Sequence, residues 1–178
     1  MTDLGTLGGS LSTAVAINNQ GQIVGGSNLP GDLVEHAFLW QAGVMIDLGT
    51  LPQTFNSTAA GINNKGQVVG FAFDGNFRAF LWENGVMYDI NDLLVNDSGL
   101  QLLFAFQINA SGQIVGTAVQ KNTGEVRAYL ANPVSGSGAA ASATVAVRSN
   151  VALSQNAAKL LQQKLRLYKL PHPPIGLQ

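Results

Sequence analysis

The chain has 178 residues, a net charge of −1 and no cysteine. That length suffices for one domain with a real core, while the near-neutral balance excludes the electrostatic footprint of a nucleic-acid binder, and the missing cysteines exclude disulfides, thiolate metal sites and cysteine nucleophiles. Charged residues make up only 11%, against roughly 25% in a typical soluble domain, so Asn, Gln, Ser and Thr must carry solvation.

The opening residues, MTDLGTLGGS, have neither the basic nor the apolar region of a signal peptide. No apolar run reaches the roughly 18–20 residues of a membrane span. The run Asp3-Leu4-Gly5-Thr6-Leu7 matches Asp47-Leu48-Gly49-Thr50-Leu51. The chain thus opens inside a repeat, which predicts a fragment, an excised domain or a degenerate relative of a longer protein. Asp3–Leu7 reads as a fourth strand without a sheet of its own.

A nine-residue phrase follows. INNQGQIVG at 17–25 returns as INNKGQVVG at 62–70 and INASGQIVG at 108–116. His36-Ala37-Phe38-Leu39-Trp40 returns as Arg78-Ala79-Phe80-Leu81-Trp82 and fades to Arg127-Ala128-Tyr129-Leu130. Internal repeats therefore dominate the chain, with units at about 3–46, 47–88 and 89–133. Each unit predicts four short strands, since its runs are brief, rich in β-branched and aromatic residues, and punctuated by Gly and Asn. The first strands are expected at 14–17, 59–62 and 104–108, and the second at 22–25, 67–73 and 113–119. The third are expected at 36–40, 78–82 and 127–130, the fourth at 44–48 and 86–90, and the third unit lacks a fourth strand of its own.

The turns are chemically specified. Asn18 and Gly21 occupy the first and fourth positions of a type I turn. Glycine in the left-handed region there makes a three-residue hairpin loop with a bulge. Asn63 with Gly66, and Asn109 with Gly112, repeat the pattern, so these six residues read as structural turn positions. Gly43 and Gly85, in Gln41-Ala42-Gly43 and Glu83-Asn84-Gly85, are expected to close the third-to-fourth strand turns by the same device.

Beyond Pro133 the repeats stop. Residues 134–153 read as a Gly/Ser/Ala-rich linker with one more weakly alternating strand at 143–148. Residues 154–167 read as a short helix capped by Ser154, before a tail in which Pro171, Pro173 and Pro174 forbid helix. The fold class expected is all-β: three four-stranded antiparallel repeats with a short C-terminal helix.

With DLGTLGG at 3–9, INN.GQIVG at 17–25 and HAFLW..G.M.DLGTL at 36–51, the chain resembles the HAF repeat family, named for the His-Ala-Phe seen here at 36–38. The resemblance covers about three quarters of the chain and fades in the third unit. It implies a bacterial, extracellular or cell-surface repeat protein and carries no established activity. Four strands per repeat of about 45 residues is also the arithmetic of a β-propeller blade. Three blades are fewer than the usual 4–8 of a closed ring. The N-terminal strand could complete the last blade, or a homo-oligomer could complete the ring.

Candidate chemistry is sparse. Asp3, Asp47 and Asp89 recur at one repeat position and could form the carboxylate set of a hydrolase. The alternative is that each bonds backbone N–H groups of its own following turn. His36 and His172 are the only histidines and lack metal-ligand spacing. No nucleophile elbow or phosphate loop is present, so neither catalytic residues, metal nor cofactor is expected. Trp40 and Trp82 sit at equivalent positions and could stack on sugar rings beside neighbouring amides, or pack between sheets. Arg78 and Arg127, at the His36 position, could bind an anionic group. The Asn-X-Ser/Thr triplets at 56, 96 and 109 are expected in so Asn-rich a chain. The reading is a non-catalytic scaffold that presents loops to an unknown protein or glycan, with a lectin-like module as the alternative. Sequence differences concentrate at 27–35, 74–77 and 120–125, which are the expected binding loops.

Overall fold

The computed structural model describes residues 1–134 and the backbone of 143–146. The expected helix at 154–167 and the proline-rich tail lie outside the described residues. Among the described residues, twelve strands form three antiparallel sheets. The first contains β1 (Ser12–Ile17), β2 (Ile23–Asn28), β3 (Glu35–Gln41) and β4 (Val44–Asp47). The second contains β5 (Asn56–Ile62), β6 (Val68–Phe73), β7 (Phe77–Glu83) and β8 (Val86–Asp89). The third contains β9 (Leu100–Ile108), β10 (Ile114–Gln120), β11 (Val126–Pro133) and β12 (Ala143–Ala146). Strands pair in chain order within each sheet, and a short 3-10 turn at Ile90–Leu93 links the second sheet to the third.

Two expectations about the ends are corrected. Asp3–Leu7 is not a strand. Gly5 has a positive φ of 78°, which breaks extended geometry at the centre of that run. The third sheet does have a fourth strand, β12, paired to β11 with Leu130 opposite Ala146. That is the register of Leu39 opposite Ile46 in the first sheet. The connection before β12 is longer than a hairpin turn, which hid the correspondence in the sequence.

The turns behave as their residues dictate. Gly21, Gly66 and Gly112 have φ of 74°, 76° and 80°, and Gly21, Gly66 and Gly112 N–H each donate to the carbonyl three residues earlier. The third-to-fourth strand turns differ from expectation. Gln41 pairs with Val44 and Glu83 with Val86, leaving two-residue loops. Ala42 and Gly43, like Asn84 and Gly85, all have positive φ. This is the geometry of a type I′ turn, whose twist matches that of the flanking strands.

The core lies between consecutive sheets. Val24, Ala37 and Leu39 of the first sheet pack on Ala59, Ile62, Val68 and Phe80 of the second. Val69, Ala79 and Leu81 of the second pack on Ala105, Ile108, Ile114 and Tyr129 of the third. The two junctions reuse equivalent residues, because strand alternation sends odd and even positions to opposite faces. Burying one such Leu, Ile or Phe contributes about 1.5–3 kcal/mol. The leucines of Asp47-Leu48-Gly49-Thr50-Leu51 join the first junction, and Ile90 and Leu93 take that place in the second.

One further glycine set is dictated by packing. A Cβ at Gly25, Gly70 or Gly116 would come within 1.8, 2.1 or 1.9 Å of the carbonyl oxygen of Thr13, Thr58 or Phe104. These are the final glycines of the nine-residue phrase. They face irregular pairings of the adjoining first strand, and only a residue without a side chain fits. Turn rules give the earlier glycine of the phrase a role and are silent on this one.

Candidate functional site

Each sheet runs its hairpins between two ends. At one end lie the Asn-Gly turns and the type I′ turns. At the other lie the segments that differ between repeats, 29–34, 74–76 and 121–125, with the sheet-to-sheet connections.

At the turn end the repeated asparagines do more than make turns. Asn63 Oδ1 accepts from the backbone N–H of Lys65 and Gln67 at 2.9 and 3.1 Å. Asn63 Nδ2 donates to Gln67 Oε1 at 2.6 Å and to the Asn109 carbonyl, in the next repeat, at 3.0 Å. Asn18 repeats all four bonds, its inter-repeat partner being the Asn63 carbonyl at 3.0 Å. Turn geometry alone would accept Asp or Ser here. Only an amide offers two donors and two acceptor sites on one short side chain.

The glutamine after each turn glycine extends the network. Gln22, Gln67 and Gln113 Nε2 donate to Gln41 Oε1, Glu83 Oε2 and Asn132 Oδ1 at 2.8, 2.7 and 2.7 Å. The phrase INN.GQ thus ties first strand, second strand and third strand together, and each repeat to the next. A crevice of about 160 Å³ remains beside this network between the second and third sheets, lined by Lys65, Gln67, Ser111 and Pro133 over Leu81, Ile90 and Ile114.

At the loop end the recurrent aspartates engage their own turns. Asp3, Asp47 and Asp89 Oδ1 accept from the N–H of Gly5, Gly49 and Asn91 at 3.0, 2.7 and 2.9 Å. Two of them also hold the basic residue of the third strand. His36 Nδ1 lies 2.9 and 3.0 Å from the Asp47 oxygens, and Arg78 lies 3.4 Å from Asp89 while donating to the Pro52 carbonyl at 2.6 Å. Arg127, with no such aspartate beside it among the described residues, pairs with Glu125 at 2.5 Å. The constant separation of eleven residues in 36/47 and 78/89 is the sequence signal that could have revealed the coupling.

The remaining candidates divide. Trp82 is half-buried against the core between first and second sheets. Trp40, at the equivalent position, is half-buried on the first sheet. The structure does not bring the two indoles onto one junction, because consecutive sheets cover different faces. Glu35 accepts from the Thr58 hydroxyl of the second sheet. The corresponding place at the next junction is aromatic, where Phe77 and Phe104 rings lie 4.6 Å apart and Phe71 packs edge-on to Phe104 at 5.0 Å.

Titratable groups are mostly exposed. The Ser10 backbone N–H holds the Asp32 carboxyl below its usual range, aided by Asn28. The Gly99 N–H and Lys121 do the same for Asp97, and Arg127 for Glu125. Burial pushes the Tyr129 phenol up, and its hydroxyl has no hydrogen-bond partner among the described residues. No three His, Asp or Glu side chains gather in a group able to hold a metal, among the described residues. Among the same residues no helix is long and apolar enough to cross a membrane. No family model, curated protein or solved structure matches the chain.

Proposed function

We propose that the protein is a non-catalytic β-repeat scaffold whose three sheets are propeller-like blades and whose variable loops meet a protein or glycan partner. One observation carries this reading. The polar residues that recur between repeats point inward, to backbone groups and to one another, while the segments that differ gather at one end. A side chain committed to four internal hydrogen bonds has no capacity left for a ligand.

The blade reading draws support from chain order within each sheet and from the way β5 lies against β1 and β9 against β5. That succession of first strands suits an axis. The engaged aspartates support a non-catalytic role, because a general acid or base must reach substrate rather than its own turn. Resemblance to the HAF family supports an extracellular or cell-surface location.

A scan of stability tests the scaffold. Alanine replacements at Asp74, Asn76, Lys121, Asn122 and Thr123, which leave the positive-φ Gly75 and Gly124 untouched, should shift unfolding by no more than about 0.5 kcal/mol, while alanine at Asn18, Asn63 or Gly70 should cost more than about 2 kcal/mol. Tolerant constant positions with intolerant loops would refute the division of labour. The lectin-like alternative rests on Trp40, half-exposed beside the Gln22–Gln41 amide pair. A glycan array separates the two readings: binding that is lost in Trp40→Ala favours the lectin.

A further inference from the structure

Within the chain the second sheet packs on the first and the third on the second through equivalent residues. At the two outer faces several of the same positions stand exposed, although Phe38, at the Phe80 and Tyr129 position, is 0% exposed. Val24 and Val69 are 0% exposed, whereas Val115 of the third sheet is 43% exposed. Leu39 and Leu81 are each 5% exposed, whereas Leu130 is 36% exposed. On the opposite face, Ile62 and Ile108 are 8% and 7% exposed, whereas Ile17 of the first sheet is 66% exposed.

The polar ladder ends in the same way. Asn18 and Asn63 Nδ2 each reach the carbonyl of the following turn, but among the described residues Asn109 Nδ2 donates to Gln113 alone. The Asn63 and Asn109 carbonyls each accept two N–H groups, but among the described residues the Asn18 carbonyl accepts only that of Gly21. The repeated ion pair is incomplete as well, Arg127 being held by Glu125 instead. Arg127 stands at the His36 and Arg78 position without the repeat aspartate, and Asp3 stands at the Asp47 and Asp89 position without a basic partner.

Each of these positions on the third sheet thus has its complement on the first. We propose that two copies of this chain join head to tail, the third sheet of each packing on the first sheet of the other. The proposal rests on the scaffold reading and names one partner of that scaffold, a second copy. In it Asn109 Nδ2 donates to the partner's Asn18 carbonyl, Arg127 meets the partner's Asp3, and Val115 with Leu130 covers the partner's Ile17. The contact is heterologous, so it must close or polymerise. Two copies supply six four-stranded sheets, inside the range of 4–8 blades that close a propeller.

Light scattering on the full chain tests this. The wild type should have a mass about twice 18.6 kDa. Val115→Asp and Ile17→Asp, on opposite faces, should each give a monomer with an unchanged far-ultraviolet circular dichroism spectrum. An equimolar mixture of the two should regain dimer, because each such pair retains one unmutated junction. Leu130→Asp and Ala14→Asp repeat the two arms on the same faces, so a variant that fails to fold leaves its replacement to decide.

A wild-type monomer at high concentration would overturn the proposal. So would open-ended oligomers, or a dimer sensitive to Val115→Asp but indifferent to Ile17→Asp, which would mean pairing of like faces. A monomer whose loops still tolerate replacement would remove the pairing and leave the scaffold standing.

Discussion

Replacing Asn63 by aspartate changes one amide nitrogen to oxygen and leaves the shape intact. The two bonds accepted from Lys65 and Gln67 N–H survive. The two donations, to Gln67 Oε1 at 2.6 Å and the Asn109 carbonyl at 3.0 Å, become contacts between oxygens. Asn63 is 4% exposed, so water cannot readily take over. Each lost hydrogen bond costs about 1 kcal/mol, and holding a 4% exposed carboxylate against the Gln67 and Asn109 oxygens adds about 1–3 kcal/mol. Asn63→Asp should therefore destabilise the fold by about 3–5 kcal/mol at neutral pH, the lower figure allowing for relaxation of the Gln67 side chain.

The sign of the pH dependence follows. Burial and the facing oxygens raise the carboxyl pKa of the variant in the folded state above its unfolded value. The protonated form regains one donor, so the lost stability returns as pH falls and disappears again as pH rises through the folded pKa. Urea unfolding followed by circular dichroism, at fixed protein concentration, measures both effects. Asn96→Asp, on an exposed loop, serves as control and should stay within about 0.5 kcal/mol of wild type. A loss below about 1 kcal/mol for Asn63→Asp, or no recovery on acidification, would refute the assignment of Asn63 as an inter-repeat donor.

Three other substitutions probe separate features. Gly70→Ala places a Cβ 2.1 Å from the Thr58 oxygen and 2.8 Å from the Phe80 ring, and should cost about 3 kcal/mol in the same urea assay; a neutral result would mean that β5 shifts freely. Tyr129→Phe removes a buried hydroxyl without a partner and restores the residue type of Phe38 and Phe80, so it should stabilise by about 1 kcal/mol. A loss of stability there would point to a water bound at the hydroxyl. Ala42 adopts a φ of 51°, where a Cβ is unfavourable, so Ala42→Asn should raise stability by about 0.5–1 kcal/mol, and a lowered thermal midpoint would contradict the type I′ assignment.

Local geometry was legible in the sequence, and what crosses between repeats was not. Asn18, Gly21 and their equivalents declared turns because the left-handed glycine and the capping amide act within four residues. The strands declared themselves through short β-branched runs. The inter-repeat bond from Asn18 to Asn63 spans 45 residues, a distance over which turn rules are silent. A hint was nevertheless present: all three turns carry Asn where Asp or Ser would serve a turn equally well. Gly25, Gly70 and Gly116 were illegible because their constraint comes from a neighbouring strand's carbonyl and bulge. The type I′ turns were misread at Gln41-Ala42-Gly43, since alanine conceals a positive φ that Asn84 advertises in the second repeat. The recurrence of Asp3, Asp47 and Asp89 is compatible with a carboxylate set or with turn bonds, and the bonds to Gly5, Gly49 and Asn91 are those of the turn alternative.

The central claim is that the recurrent asparagines join one repeat to the next. Hydrogen exchange at the side-chain amides, resolved by nuclear magnetic resonance, tests it most directly. The Nδ2 protons of Asn18 and Asn63 should exchange far more slowly than those of Asn19, which is exposed. Equal, rapid exchange at all three would contradict the account and return the phrase to a turn motif and nothing more.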